Sequence, residues 1–172
     1  GNGVFLSINN GSSWTEVNNG LTRTNIRSLA ISGSNIFAGT DGGVFLSTNN
    51  GNSWTITNLS TYTEVYSLAI SGSNIFAGTS GGGVFLSTNN GSSWTEVNNG
   101  LTNNQIRSLA INGSNIFAGS FGGGAFLSTN NGSSWTAVNN GLTHNNVFSL
   151  AISGSNIFAG TDGGVFLSTN NG

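Results

Sequence analysis

Short apolar runs recur along the chain, separated by clusters of Ser, Asn and Gly. One full cycle reads Ser28–Ser32 (SLAIS), Asn35–Thr40 (NIFAGT), Val44–Ser47 (VFLS) and Trp54–Thr57 (WTIT). These runs are β-branched and aromatic, and none has helical spacing. They predict four short strands, A to D. S-G-S-N joins A to B, a Gly-rich turn joins B to C, and N-N-G-x-S joins C to D; a longer, variable loop leads from D to the next A. Strands B and C are apolar almost continuously. A strand wetted on one face would alternate, so both faces of each sheet are expected to be covered.

The cycle repeats. Val44–Trp54 has near-copies at Val4–Trp14, Val84–Trp94 and Ala125–Trp135, and a fifth copy, Val165–Gly172, stops at its glycine. The phenylalanine of this stretch falls at Phe5, Phe45, Phe85, Phe126 and Phe166, at spacings of 40, 40, 41 and 40. Sheets covered on both faces and repeated radially make a β-propeller. A solenoid is the alternative, but its coils usually run to about 20–30 residues. The pattern therefore predicts an all-β fold, a single domain over residues 1–172. It is a four-bladed β-propeller of four-stranded blades, about 40 residues each. The repeats lie at 26–57, 65–97 and 106–138. A closing blade draws on 147–172 plus 1–17, the N-terminal strands C and D joining the C-terminal A and B. On this count Val165–Gly172 is surplus, or it competes with Val4–Ser7 for one slot.

The C–D turn, as in Ser87, Asn89, Gly91 and Trp94, resembles the Asp-box, S-x-D-x-G-x-x-W, of BNR and sialidase-type propellers and of photosystem II assembly-factor-like propellers. Ser, Gly and Trp match in all four full copies. The departure is Asn for Asp, at Asn9, Asn49, Asn89 and Asn130. The resemblance implies a structural turn remote from any catalytic centre. The chemistry agrees: a short polar side chain bonds turn amides, Gly supplies positive φ, and Trp packs between blades. The missing carboxylate argues against calcium in this turn. The resemblance also brings sialidases to mind, which use an arginine triad and a Tyr–Glu pair. Arg23, Arg27, Arg107, Tyr62, Tyr66 and Glu64 supply the residue types. Their spacing does not carry over, because the third arginine is not on its own blade and that ring has six blades. No enzyme is expected.

Composition narrows the field. Charged residues are 5% of the chain and the net charge is −2, which argues against nucleic acid, whose phosphates need a basic face. No apolar run approaches the roughly 18 residues of a membrane span. A sparsely charged, amide- and hydroxyl-rich surface favours self-association. There is no Cys, so no disulfide or thiolate ligand, and the one His, His144, reads as a solvated loop residue with no cluster to bind metal. No cofactor is expected. There is no Met, which suits a processed product or a window from a longer repeat protein. The N-x-S/T sequons, mostly N-G, read as turns.

The blades differ mainly in the D–A and B–C loops, which a propeller gathers on one face. Aligned D–A positions read Arg23, Tyr62, Asn103 and His144; two residues on come Asn25, Glu64, Gln105 and Asn146; two further come Arg27, Tyr66, Arg107 and Phe148. The B–C loops add Asp41, Ser80, Phe121 and Asp162. The candidate binding face is Arg23, Arg27, Tyr62, Tyr66, Arg107, His144 and Phe148. In a fourfold ring Arg27 and Arg107 face each other across the axis, with Tyr66 and Phe148 on the crossed diameter. Two guanidiniums could then fork a carboxylate or sulfate and the rings could stack on a sugar. The plainer reading is that rim loops tolerate change and carry solubilising charge.

Two functions compete. The first is a structural protein, extracellular or at the cell surface, that assembles with copies of itself into an oligomer or filament. The candidate assembly strand is Val165, Phe166, Leu167 and Ser168, donated to a neighbour. The second is a glycan- or anion-binding module using the loop face.

Overall fold

The structure, a computed structural model, describes residues 1–59 and 63–170. Seventeen strands form among these residues. Strands β1 (Phe5–Leu6) and β2 (Thr15–Glu16) pair as a two-stranded hairpin. Three four-stranded sheets follow. The first is β3 (Ile26–Ser32), β4 (Asn35–Thr40), β5 (Gly43–Ser47) and β6 (Thr55–Ile56). The second is β7 (Val65–Ser71), β8 (Asn74–Thr79), β9 (Val84–Ser87) and β10 (Thr95–Glu96). The third is β11 (Ile106–Asn112), β12 (Asn115–Ser120), β13 (Gly124–Ser128) and β14 (Thr136–Ala137). A three-stranded sheet completes the array: β15 (Val147–Ser153), β16 (Asn156–Thr161) and β17 (Gly164–Ser168). Each sheet is an antiparallel meander in chain order. Strand D is shorter than expected, two residues in each complete sheet.

The C–D turn is built by side chains. In the first full copy the Ser47 hydroxyl donates to Asn49 Oδ1 (3.0 Å) and accepts from the Gly51 N–H (2.9 Å). Asn49 Oδ1 also accepts from the Ser53 N–H (2.9 Å), and Asn49 Nδ2 donates to Ser53 Oγ (2.9 Å). All four full copies repeat this set, including the amide-to-serine bond that a carboxylate could not donate. Asn is therefore a working substitute here, because Ser13, Ser53, Ser93 and Ser134 accept its extra donor. The following residue must enter the left-handed region, and the Asn-Gly pair suits it: Asn50 has φ 59° and Gly51 φ 85°.

Neighbouring sheets bury their faces on one another. Phe37 and Val44 of the first complete sheet cluster with Val65, Leu68, Ile75 and Ala77 of the second. One sheet on, Phe76 and Val84 meet Ile106, Leu109, Ile116, Ala118, Phe126 and Trp135. A hydrogen bond repeats at each seam. The N–H of Leu68, Leu109 and Leu150 donates to the hydroxyl of Ser28, Ser67 and Ser108, at 3.0, 2.9 and 2.9 Å. The inner strands β3, β7, β11 and β15 thus stand side by side in that order. The tryptophan preceding strand D reaches back to the sheet before it: the Trp54 indole N–H donates to the Val17 carbonyl beside hairpin β1–β2, and that of Trp135 to the Val97 carbonyl beside β10.

The expected closing blade is not formed. Hairpin β1–β2 stays on the flank of the first complete sheet, tied by the Gly3 N–H to the Thr24 carbonyl (2.9 Å) and by the Trp54 indole. Strand β16 instead pairs with β17 along its length, Ile157 to Ser168 through Thr161 to Gly164. The strand that the count made surplus therefore holds the slot. Val4–Ser7, which contains β1, and Val165–Ser168 of β17 both read V-F-L-S, so side chains do not separate them. Loop closure does: β17 follows β16 by a tight turn, whereas β1 would have to join across most of the chain. The array is an open arc, and β3 and β15 do not pack on each other as neighbouring inner strands do.

Candidate functional site

The variable side chains sit where strand A is irregular. The ladder between strands A and B slips between Ile26 and Ser28, Val65 and Ser67, Ile106 and Ser108, and Val147 and Ser149. The residue passed over is Arg27, Tyr66, Arg107 or Phe148. A bulge re-aims its side chain and releases it from cross-strand packing, so the position tolerates Arg, Tyr and Phe alike.

Because the inner strands are neighbours, these residues meet along the arc. Arg27 Cζ lies 4.6 Å and Arg107 Cζ 3.9 Å from the centre of the Tyr66 ring. Arg107 also reaches Phe121 at 5.6 Å, and Phe121 meets Phe148 at 6.0 Å with the rings tilted by 52°. Arg27 Nη2 pairs with Glu64 Oε1 at 3.1 Å, and the Tyr66 hydroxyl donates to Glu64 Oε2. The expected arrangement across an axis is thus replaced by a row in which Tyr66 lies between the arginines in strand order. Arg27 already holds the protein's own carboxylate. Arg107 makes no ion pair among the described residues, and its Nε is buried without a hydrogen-bond partner.

Arg23 and His144 stand apart from this row, each over a glycine of its own B–C turn. A Cβ on Gly42 would come within 2.8 Å of Arg23 Nε, and one on Gly163 would strike the His144 ring. Asn103 covers Gly123 in the same way and donates to the Phe121 carbonyl at 3.1 Å. His144 also lies 6.0 Å from the Phe166 ring. Tyr62 lies outside the described residues. Glu64 and Phe121, which belong to the row, were visible in the sequence only as variable loop positions. Val165–Ser168, the candidate assembly strand, lies in β17 and is paired with β16.

The Tyr66 hydrogen bond, then the charge of Arg27, hold the Glu64 carboxyl below its ordinary 4.5. A carboxyl depressed in the folded state stabilises it above the unfolded pKa and loses that contribution as pH falls through the folded value. Acidification below 4.5 should therefore loosen the Arg27–Glu64–Tyr66 contact. The effect is modest, because the pair is solvent-screened. A carbon-13 NMR titration should find Glu64 titrating below the ordinary 4.5; a Glu64 midpoint at or above that value contradicts this contact.

Residues 3–115 match the DUF6242 beta propeller domain. The chain belongs to that family. Among solved structures it is similar to an ancestral GH74 enzyme, with 24% identity and a TM-score of 0.77, over 92% of this chain and 24% of that one. It is similar to the extracellular domain of BT4673 from B. thetaiotaomicron, with 21% identity and a TM-score of 0.71, over 91% and 23%. It is also similar to YCF48 bound to D1 peptide, with 15% identity and a TM-score of 0.62, over 83% and 48%. At these identities the likeness shows the propeller fold, and the chain spans about a quarter of the first two proteins. No curated protein matches it.

Proposed function

We propose that this DUF6242 propeller is a non-enzymatic structural module that assembles with copies of itself. The observation that carries this is the break in burial at both ends of the arc. Leu29 is 51% exposed where Leu68 and Leu109 are 8%, and Val165 is 74% exposed where Val44 and Val84 are fully covered. These are the same surfaces that seal the inner seams, left open in pairs that fit each other. An exposed apolar surface of this kind marks an association site. A low charge adds little repulsion to oppose it. The Asn-centred turn supports an Asp-box-type scaffold role for the opposite face. An extracellular or cell-surface setting goes with this reading, as for the extracellular domain it is similar to. Sedimentation velocity across a concentration series tests it. Species at multiples of 17.5 kDa that grow with concentration are expected. A single 17.5 kDa species throughout overturns the reading.

A second reading rests on Arg107. Its guanidinium lies against Tyr66 and Phe121 without a carboxylate partner among the described residues. A sulfated or carboxylated glycan could take that place, stacking on the same rings. Binding to an anionic glycan array that disappears in Arg107→Ala supports it; no binding by the unaltered protein removes it.

A further inference from the structure

The chain makes many of its turns with Asn-Gly, a dipeptide that occurs ten times. Asn-Gly is also chemically labile, because glycine puts no side chain in the way of attack on the asparagine. The main-chain nitrogen of the glycine gives up its proton and attacks the asparagine Cγ. The N–Cγ bond forms, the Cγ–Nδ2 bond breaks, and the amide leaves as ammonia. Water then opens the succinimide at either carbonyl and leaves aspartate or isoaspartate. The reaction needs a glycine N–H that is free and that solvent base can reach.

The fold sorts the copies on that criterion. In the C–D turns the N–H groups of Gly11, Gly51, Gly91 and Gly132 donate to the hydroxyls of Ser7, Ser47, Ser87 and Ser128 at 2.8, 2.9, 2.9 and 2.9 Å. Gly51, Gly91 and Gly132 are buried as well. The Gly3 N–H is bonded to the Thr24 carbonyl, and the Asn112 amide is held by the Gly154 carbonyl at 2.9 Å. The D–A loops differ. There the N–H of Leu21, Leu101 and Leu142 closes a turn on the Asn18, Asn98 and Asn139 carbonyl at 2.9, 2.9 and 3.0 Å. Asn19–Gly20, Asn99–Gly100 and Asn140–Gly141 form the tips of these turns. All six residues are exposed, and none of the three glycine N–H groups donates a hydrogen bond among the described residues.

We propose that Asn19, Asn99 and Asn140 are sites of spontaneous modification, converted through a succinimide to aspartate and isoaspartate, and that the serine of each C–D turn shields the same dipeptide there. Two of the sites hold a tryptophan. The Asn19 and Asn99 carbonyls accept the main-chain N–H of Trp54 and Trp135 at 2.8 Å, and both tryptophans are 4% exposed. A Cβ on Gly20 or Gly100 would strike the carbonyl oxygen of Trp54 or Trp135. Isoaspartate lengthens the main chain by one carbon at this contact, where close packing leaves no room for it. Modification at Asn19 or Asn99 therefore loosens a buried tryptophan in a seam between sheets. The serine hydroxyl of the C–D turn thus has two effects: it orders the turn, and it keeps the turn's labile bond intact.

Incubation of the full chain at mildly alkaline pH, followed by tandem mass spectrometry of its peptides, reads each site separately. Asn19, Asn99 and Asn140 should react at least about tenfold faster than Asn50, Asn90 and Asn131, the weight of one hydrogen bond on each shielded N–H. In concentrated urea the six rates should converge, because the dipeptide is the same. Ser87→Ala should bring Asn90 into the fast group, with Asn50 unchanged as the check that the fold survives. Aged protein should show red-shifted tryptophan emission. The double variant Asn19→Asp, Asn99→Asp carries the charge without the extra carbon, so its emission should stay that of the unmodified chain. Equal rates at all six sites in the folded chain, or an Asn90 rate unmoved by Ser87→Ala, overturn the shielding. Aged protein with the emission of the double variant overturns the loosening of the tryptophans.

Discussion

Trp135→Ala should cost about 3–5 kcal/mol of unfolding free energy, the usual range for truncating a buried tryptophan, whereas Trp14→Ala should cost the isolated chain little. The two residues share one motif and one position in the repeat. Trp135 is 4% exposed, packed with Phe76, Leu109 and Phe126, and its indole N–H donates to the Val97 carbonyl at 2.7 Å. Its loss opens a cavity in a seam between two sheets and strips that carbonyl of its partner. Such seams carry most of the stability of a repeat array, where each unit packs mainly on its neighbours. Trp14 is mostly in water and seals no seam within the chain. Denaturant unfolding at a protein concentration low enough to keep the chain monomeric measures both. Equal costs would mean that Trp14 is buried in the isolated chain, which contradicts the open arc.

That contrast bears on what the sequence could convey. The spacing of Phe5, Phe45, Phe85, Phe126 and Phe166 carries the repeat, and the two-sided apolar pattern of strands B and C carries the packing of sheet on sheet. Both are local signals repeated many times. Closure is different, because it depends on a competition between identical segments. V-F-L-S at Val4 and at Val165 have equal claims on β16 by side chain, and only loop length separates them. The candidate face was legible as variation among otherwise near-identical copies. Its geometry was not, since nothing in I-R-S or V-Y-S announces a bulge, and a bulge needs no special residue. The row Arg27–Tyr66–Arg107 follows from which strands stand side by side, and an open arc orders them differently from a ring. Glu64 enters the row by pairing with a residue two positions away and another on the preceding sheet, a contact that only the fold supplies.

Gly119→Val should destabilise the fold by about 2–3 kcal/mol, and Gly160→Val should change it by less than about 1 kcal/mol. Both glycines occupy the same place on strand B and both have ordinary negative φ, so the difference lies in what the side chain meets. A Cβ on Gly119 would come within 2.6 Å of Val147 Cγ1 and 3.3 Å of the Val147 carbonyl oxygen. Val147 is fully buried and its backbone is fixed in β15, so neither can withdraw. The better strand propensity of Val offsets only part of that overpacking. At Gly160 the nearest atom is the Ser149 hydroxyl, an exposed side chain that can rotate away, and the next contacts are 3.7 Å or more. Urea unfolding of both variants as monomers decides between them; a large loss at Gly160 would place a covering sheet on that face in the isolated chain.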